Sequence, residues 1–182
     1  MKKKDWLIVA LAPFAVLLIP LVGNWVVEGW NWSPGDFVFA WVVFAVVAFI
    51  YRLLATRTFA NLAYKAGAAL AILAGFLVFW FTAAVQIIGE ENSANLLYMV
   101  MLLLGLVGVG VARFRPAGMA NAAFAMAAAT LLVPTIAFIF WPADFSPGVA
   151  KVFIMNGVFA LMFIVSALLF HQAARRATSA RA

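Results

Sequence analysis

The residues of this chain that could do chemistry are oxygen and amide side chains set in three short breaks between apolar runs. Glu28 and Asp36 occupy the first break, Gln86, Glu90, Glu91, Asn92 and Asn95 the second, and Asp144 the third. Oxygen ligands gathered in such number could hold a hard cation such as Ca²⁺. A pair of the carboxylates could also share acid–base work on a lipid headgroup or sugar. Trp25, Trp30, Trp32, Trp141 and Tyr98 ring the same breaks, as aromatic side chains do where an apolar body must meet a wet boundary. Against a site stands the ordinary polarity of turns: adjacent Glu90 and Glu91 point differently, and Asn92 or Ser93 is expected to cap the helix that follows.

Other chemistries lack their parts. The chain has no cysteine and one histidine, His171, so thiol catalysis, a bis-histidine haem and a zinc site have no ligand set within it. No catalytic residue, metal site or cofactor is expected. Within or near the apolar runs the polar side chains include Asn156 and Asn121, with Thr82, Thr130 and Thr135. Asn156 lies two turns into the last run, where an amide needs a partner. An interhelical hydrogen bond, worth about 0.6–2 kcal/mol, is the expected role, with a solute ligand as the other reading.

The elements that must position these residues follow from composition. Of 182 residues, 68% are hydrophobic and 10% charged, too little charge to cover a soluble domain. The apolar runs reach the ~20 residues needed to cross a ~30 Å hydrocarbon core. They are apolar on every side rather than alternating as barrel strands do. Backbone groups in lipid must be satisfied internally, so the runs are helices. The fold class is all-α, a polytopic bundle of six transmembrane helices over about 6–27, 34–54, 59–88, 94–112, 117–141 and 149–171, forming one domain with a basic tail at 172–182. The first run is too long for a signal-peptide core and is expected to stay uncleaved.

Local signals support these bounds. Ser33-Pro34-Gly35-Asp36 reads as an N-cap, a proline at the first helical position and an acid three residues on. Pro13, Pro20 and Pro134 should bend their helices. Gly67, Ala71 and Gly75 share one helix face, and Gly105 and Gly108 lie close together on the next helix. Small residues in these places permit close helix–helix approach.

Charge gives an orientation. With six crossings, all Lys and Arg except Lys151 fall on the side of the N-terminus, and all Asp and Glu except Asp5 fall on the other. By the positive-inside rule, both termini are cytoplasmic and the acidic turns face outward. The net charge of +6 then reflects membrane orientation, with anionic lipid headgroups as partners, and not binding to nucleic acid.

The phrase Ala84-Val85-Gln86-Ile87-Ile88-Gly89-Glu90-Glu91-Asn92-Ser93-Ala94-Asn95-Leu96-Leu97-Tyr98 carries a resemblance. With Trp32–Phe37 upstream and Ala112–Ala120 downstream, it resembles a family of small bacterial membrane proteins without an assigned activity. Their core reads approximately AVGIIGxExNPANLMY and then ARFxPxGMA. The similarity covers about residues 30–135, and this chain departs at Gln86 and Ser93, where the family has Gly and Pro. The resemblance implies a bacterial inner membrane and assigns no functional residue.

The expected function is therefore that of a non-catalytic accessory or scaffold subunit, associating through its small-residue faces with a second copy or another membrane protein. The alternative is a transporter or channel for a small neutral solute or cation entered from the acidic face. A membrane enzyme acting on lipid headgroups comes third.

Overall fold

A computed structural model describes residues 3–57, 60–89, 93–142, 145 and 148–179. Among them the chain is all-helical: α1 Lys3–Val26, α2 Pro34–Ala55, α3 Leu62–Val85, α4 Asn95–Val111, α5 Pro116–Phe140 and α6 Val149–Ser179. Five of the six are long and apolar enough to cross a membrane; α4 is equally apolar but has 17 residues, the short end of the ~17–25 range for a span. The all-α membrane fold of six helices expected from composition is what forms among the described residues.

The chain divides into two compact units, Met1–Thr58 and Phe59–Ala182. In the first, α1 and α2 pair as a hairpin. The buried residues of α1 are Asp5, Val9, Pro13, Leu17, Pro20 and Gly23, a stripe at three- and four-residue spacing that lies along one helix face. Both prolines sit in that stripe and α1 runs through them. Asp5, 2% exposed, pairs with the Arg52 guanidinium at the far end of α2, and Trp6 stacks on Phe49 with ring centroids 5.8 Å apart. At the other end Asn24 closes the connector: its Nδ2 donates to the Trp32 carbonyl and its Oδ1 accepts from the Trp32 amide, both at 2.9 Å. The capping box read at the start of α2 is present. Ser33 Oγ accepts from the Asp36 amide at 3.3 Å, and the Ser33 amide donates to Asp36 Oδ2 at 2.7 Å.

The second unit is an antiparallel four-helix bundle. Its seams run α3–α6, α6–α5 and α5–α4, with a lighter α4–α3 contact closing the ring. Small residues set the seams. A Cβ on Gly67 would meet the Ser166 carbonyl at 3.2 Å and Leu169 and Phe170 at 3.3 Å, while one on Gly105 would strike Met126 Sδ at 2.6 Å. Ser166 Oγ donates to the Gly67 carbonyl at 2.8 Å across the α3–α6 seam, and the seam is knit further along by Phe81 on Phe159. Proline removes a backbone donor, yet α5 is continuous through Pro134.

Several boundaries differ from the sequence reading: α1 begins at Lys3 instead of about 6, and α3 begins at Leu62 instead of about 59, with Asn61 as its cap. The third helix stops at Val85 instead of Ile88, because Gln86 turns into the left-handed region at φ 53°. The last helix continues past His171 to Ser179, so the expected tail is helical through its first two turns. Its 31 residues, at ~1.5 Å rise each, exceed a ~30 Å core.

Candidate functional site

The polar break between α3 and α4 is an apolar plug with a polar latch. Once Gln86 has turned the chain, Ile87 and Ile88 point back into the four-helix bundle, 1% and 0% exposed. Turning two isoleucines inward strands the backbone polar groups beside them, and an unpaired buried amide or carbonyl is costly. Asn95, itself buried, serves both. Its Oδ1 accepts from the Ile88 amide at 3.2 Å, and its Nδ2 donates to the Gly89 carbonyl at 2.9 Å. Asn95 is thus the first residue of α4 and the clamp of the loop before it. The helix has Ala94 at its N-cap and no side-chain cap there, so the capping expected of Ser93 is not seen; Asn92 lies outside the described residues. Phe145 enters the same apolar cluster from the α5–α6 connector, its ring edge-on to Phe138 at 5.7 Å.

Beneath the plug lies one polar pair. Tyr98 Oη donates to Asn156 Oδ1 at 3.0 Å, joining α4 to α6 across the bundle, and Asn156 Nδ2 donates to the Val152 carbonyl at 2.8 Å. Neither side chain is exposed. Tyr98 therefore faces inward, against the expectation that it rings a wet surface. The threonines are satisfied by their own helices: Thr82 donates to the Val78 carbonyl, Thr130 to Met126 and Thr135 to Leu131. Such back-bonding satisfies each hydroxyl within its own helix.

The eight residues selected from the sequence are distributed as follows. Glu28 and Asp36 belong to the first unit and are exposed, and Asp36 is engaged by Ser33, whose Oγ also donates to its carboxylate at 2.8 Å. Gln86 and Asn95 belong to the second, with Asn95 buried inside the loop. Glu90, Glu91, Asn92 and Asp144 lie outside the described residues. Among the described residues, no three His, Asp or Glu side chains come together as metal ligands. Of the two intramembrane amides, Asn156 is in the core and Asn121 is exposed near the start of α5. Of the small residues, Gly67 is buried in the α3–α6 seam, Ala71 and Gly75 are half-buried, and Gly105 and Gly108 face Met126 and Ala122 of α5.

Lys151 aside, the described cations gather at one end of each unit. In the first, the α1–α2 end closed by Asp5 and Arg52 carries Lys3, Lys4, Arg52 and Arg57, whereas Glu28 and Asp36 lie at the connector. In the second, the start of α3, the α4–α5 loop and the end of α6 are tied together. Asn61 Nδ2 donates to the Ala173 carbonyl at 3.4 Å, Tyr64 Oη donates to the Phe114 carbonyl at 2.8 Å, and Tyr64 meets the Phe170 ring edge-on at 5.1 Å. That end bears Lys65, Arg113, Arg115, Arg175 and Arg176.

Sequence reasoning missed the inward turn of Ile87 and Ile88, the latch role of Asn95 and the Asp5–Arg52 pair. A signal existed for the first: two isoleucines in an otherwise polar turn have no reason to face water. Comparison with family models, curated proteins and solved structures finds no match. The likeness of the Ala84–Tyr98 phrase to a bacterial membrane family stands on that phrase and its flanking motifs alone.

Proposed function

We propose that the chain is a non-catalytic accessory or scaffold subunit of a bacterial inner membrane, with both termini on the cytoplasmic side. The observation that carries this reading is the closure of the bundle interior. Asn156, the side chain best placed to bind a solute at depth, is fully buried and already hydrogen-bonded to Tyr98 and to its own helix. Ile87 and Ile88 close the bundle above it. A transport path needs polar groups facing a wet cavity; these face each other. Asp36, a carboxylate available for acid–base work, is committed to a helix cap.

The orientation is supported by the gathering of the described cations, Lys151 aside, at one end of each unit, since cationic loops remain cytoplasmic. The small residues expected to recruit a partner instead serve the chain's own seams at Gly67, Gly105 and Gly108. A partner would therefore meet larger side chains, such as the exposed Leu96, Leu103 and Val107 of α4.

The cysteine-free sequence makes the test direct. A cysteine placed at Ser93 should react with a membrane-impermeant maleimide added outside intact cells, and one at Gln172 only after permeabilisation. Affinity purification in mild detergent should yield a homo-oligomer or a discrete second protein. Labelling of both positions from the same side overturns the orientation, and a monodisperse monomer overturns the subunit reading.

A further inference from the structure

We infer that the outer face of α4 is a self-association surface, on which a second copy of this chain docks with its own α4 parallel and in register. This rests on the membrane placement proposed above and names the partner. Leu96, Val100, Leu103 and Val107 are 50–65% exposed. With the exposed Gly110 they follow one another at alternating four- and three-residue steps, the 3.5-residue repeat of two helices packed side by side. The stripe lies opposite the side of α4 that carries the buried Tyr98 and Met101, so the bundle itself makes no use of it.

Exposed apolar side chains alone do not call for a protein partner, since lipid tails cover them equally well. Length is what separates α4 from its neighbours. Its 17 residues rise ~25 Å against a core of ~30 Å, whereas α3, α5 and α6 have 24, 25 and 31 residues. Ile87 and Ile88, which would lengthen the apolar surface before α4, turn inward. A span shorter than the core is accommodated by thinning the bilayer, by snorkelling or by oligomerising. Pairing takes two short faces out of lipid together, provided that the partner is equally short at the same depth. A second copy, inserted with the same orientation, meets that condition. From Leu96 to Val111 the only polar side chain is the buried Tyr98, so two copies meet without like-charge repulsion.

Gly110 is an independent sign. A Cβ there would meet nothing within 4 Å, so its smallness serves no contact within the chain, although glycine weakens a helix relative to alanine. A small outward residue lets a second helix approach closely. The last helix presents a comparable stripe, Ile154, Val158, Leu161, Val165 and Leu168, with Gly157 likewise uncontacted. It is long enough to cross the whole core, so hiding it relieves no mismatch, and it provides the control.

The test uses the full chain in phosphatidylcholine bilayers, with one cysteine introduced at a time. Under mild oxidation L103C, at the centre of α4, should form a disulfide-linked dimer, and V107C one step along should do the same. L161C on α6 should stay monomeric. Energy transfer between donor- and acceptor-labelled Q172C copies then measures pairing. Longer acyl chains that raise the core from ~27 to ~33 Å should strengthen it about tenfold. G110L, for which a lone chain has room, should weaken it about tenfold and leave the helical circular dichroism unchanged. Cross-linking at L161C equal to or above that at L103C, pairing that does not strengthen as the bilayer thickens, or undiminished pairing in G110L overturns the proposal. A dimer through α6, or a second protein co-purifying with a single copy, would do so while leaving the subunit reading standing. A monomer in every bilayer would remove both, so the two failures are distinguishable.

Discussion

Tyr98 of α4 and Asn156 of α6 form a hydrogen bond of 3.0 Å between two side chains with no solvent exposure. Their helices lie diagonally across the four-helix bundle and have no other bond between them among the described contacts. The pair therefore fixes the register of α4, a helix of only 17 residues, against the longest helix of the unit.

Removing the hydroxyl by Y98F leaves Asn156 Oδ1 buried without its donor. The expected cost is about 1–2 kcal/mol, the range for a stranded polar group and for interhelical bonds in membranes. Replacing both partners, as Y98F/N156L, should cost less than the sum of the single changes, because no polar group is left unpaired. Denaturant unfolding in mixed micelles measures both. An additive double variant would show that the two side chains do not depend on each other.

Glycines of one helix face should respond unequally. A Cβ on Gly67 would meet the Ser166 carbonyl at 3.2 Å and the Phe170 ring at 3.3 Å, whereas one on Gly75 would meet only Leu102 at 3.8 Å, an ordinary contact. G67L should therefore prise α3 from α6 and cost about 1–3 kcal/mol or more through overpacking. G75A should be tolerated or slightly stabilising, since alanine loses less backbone freedom than glycine on folding. Thermal midpoints of the two purified variants decide it, with equal losses as the adverse result.

At the end of the α1–α2 hairpin, Asp5 is buried and Arg52 mostly so, with 3% and 23% of their side chains exposed. Taking one partner from a buried ion pair leaves the other charge uncompensated, and costs of about 3–5 kcal/mol are typical for fully buried pairs. The partial exposure of Arg52 reduces this, and about 1–3 kcal/mol is expected. Trp6 and Phe49, stacked at 5.8 Å, report on the same end. A W6C/F49C disulfide should form readily in the parent chain and more slowly in a D5A background. Unchanged cross-linking would show that apolar packing along the hairpin closes this end without the ion pair.

Much of this architecture could be read from the residues because lipid imposes one strong rule. Runs such as Leu62–Val85 and Pro116–Phe140 have no way to satisfy their backbone in hydrocarbon except as helices, and Ser33-Pro34-Gly35-Asp36 marks a helix start by local bonds alone. The candidate site was less legible because its logic is tertiary. Asn95 reads as one more turn residue until Ile87 and Ile88 are seen to be buried, and only then do the Ile88 amide and Gly89 carbonyl need a partner. Asp5 likewise reads as a stray acid in a basic segment, since its partner lies 47 residues away.

The Asn95 latch gives the most local prediction. Each of its two hydrogen bonds contributes about 0.5–1.5 kcal/mol net, and together they hold the segment that carries Ile87 and Ile88 against the bundle. N95A removes both while leaving the isoleucines in place, so the plug should still seat but open more often. Local openings of this kind are governed by the free energy of the opened segment, not of the whole fold. In a chain whose sole cysteine is at position 88, a hydrophilic maleimide should react slowly in the parent and about tenfold faster with N95A, as expected for about 1.4 kcal/mol of lost closure. A cysteine at the exposed Ser93 should react quickly in both backgrounds and so controls for reagent access. Equal rates at position 88 would mean that apolar burial of the segment alone holds the loop shut, and that Asn95 serves only to satisfy the backbone it touches.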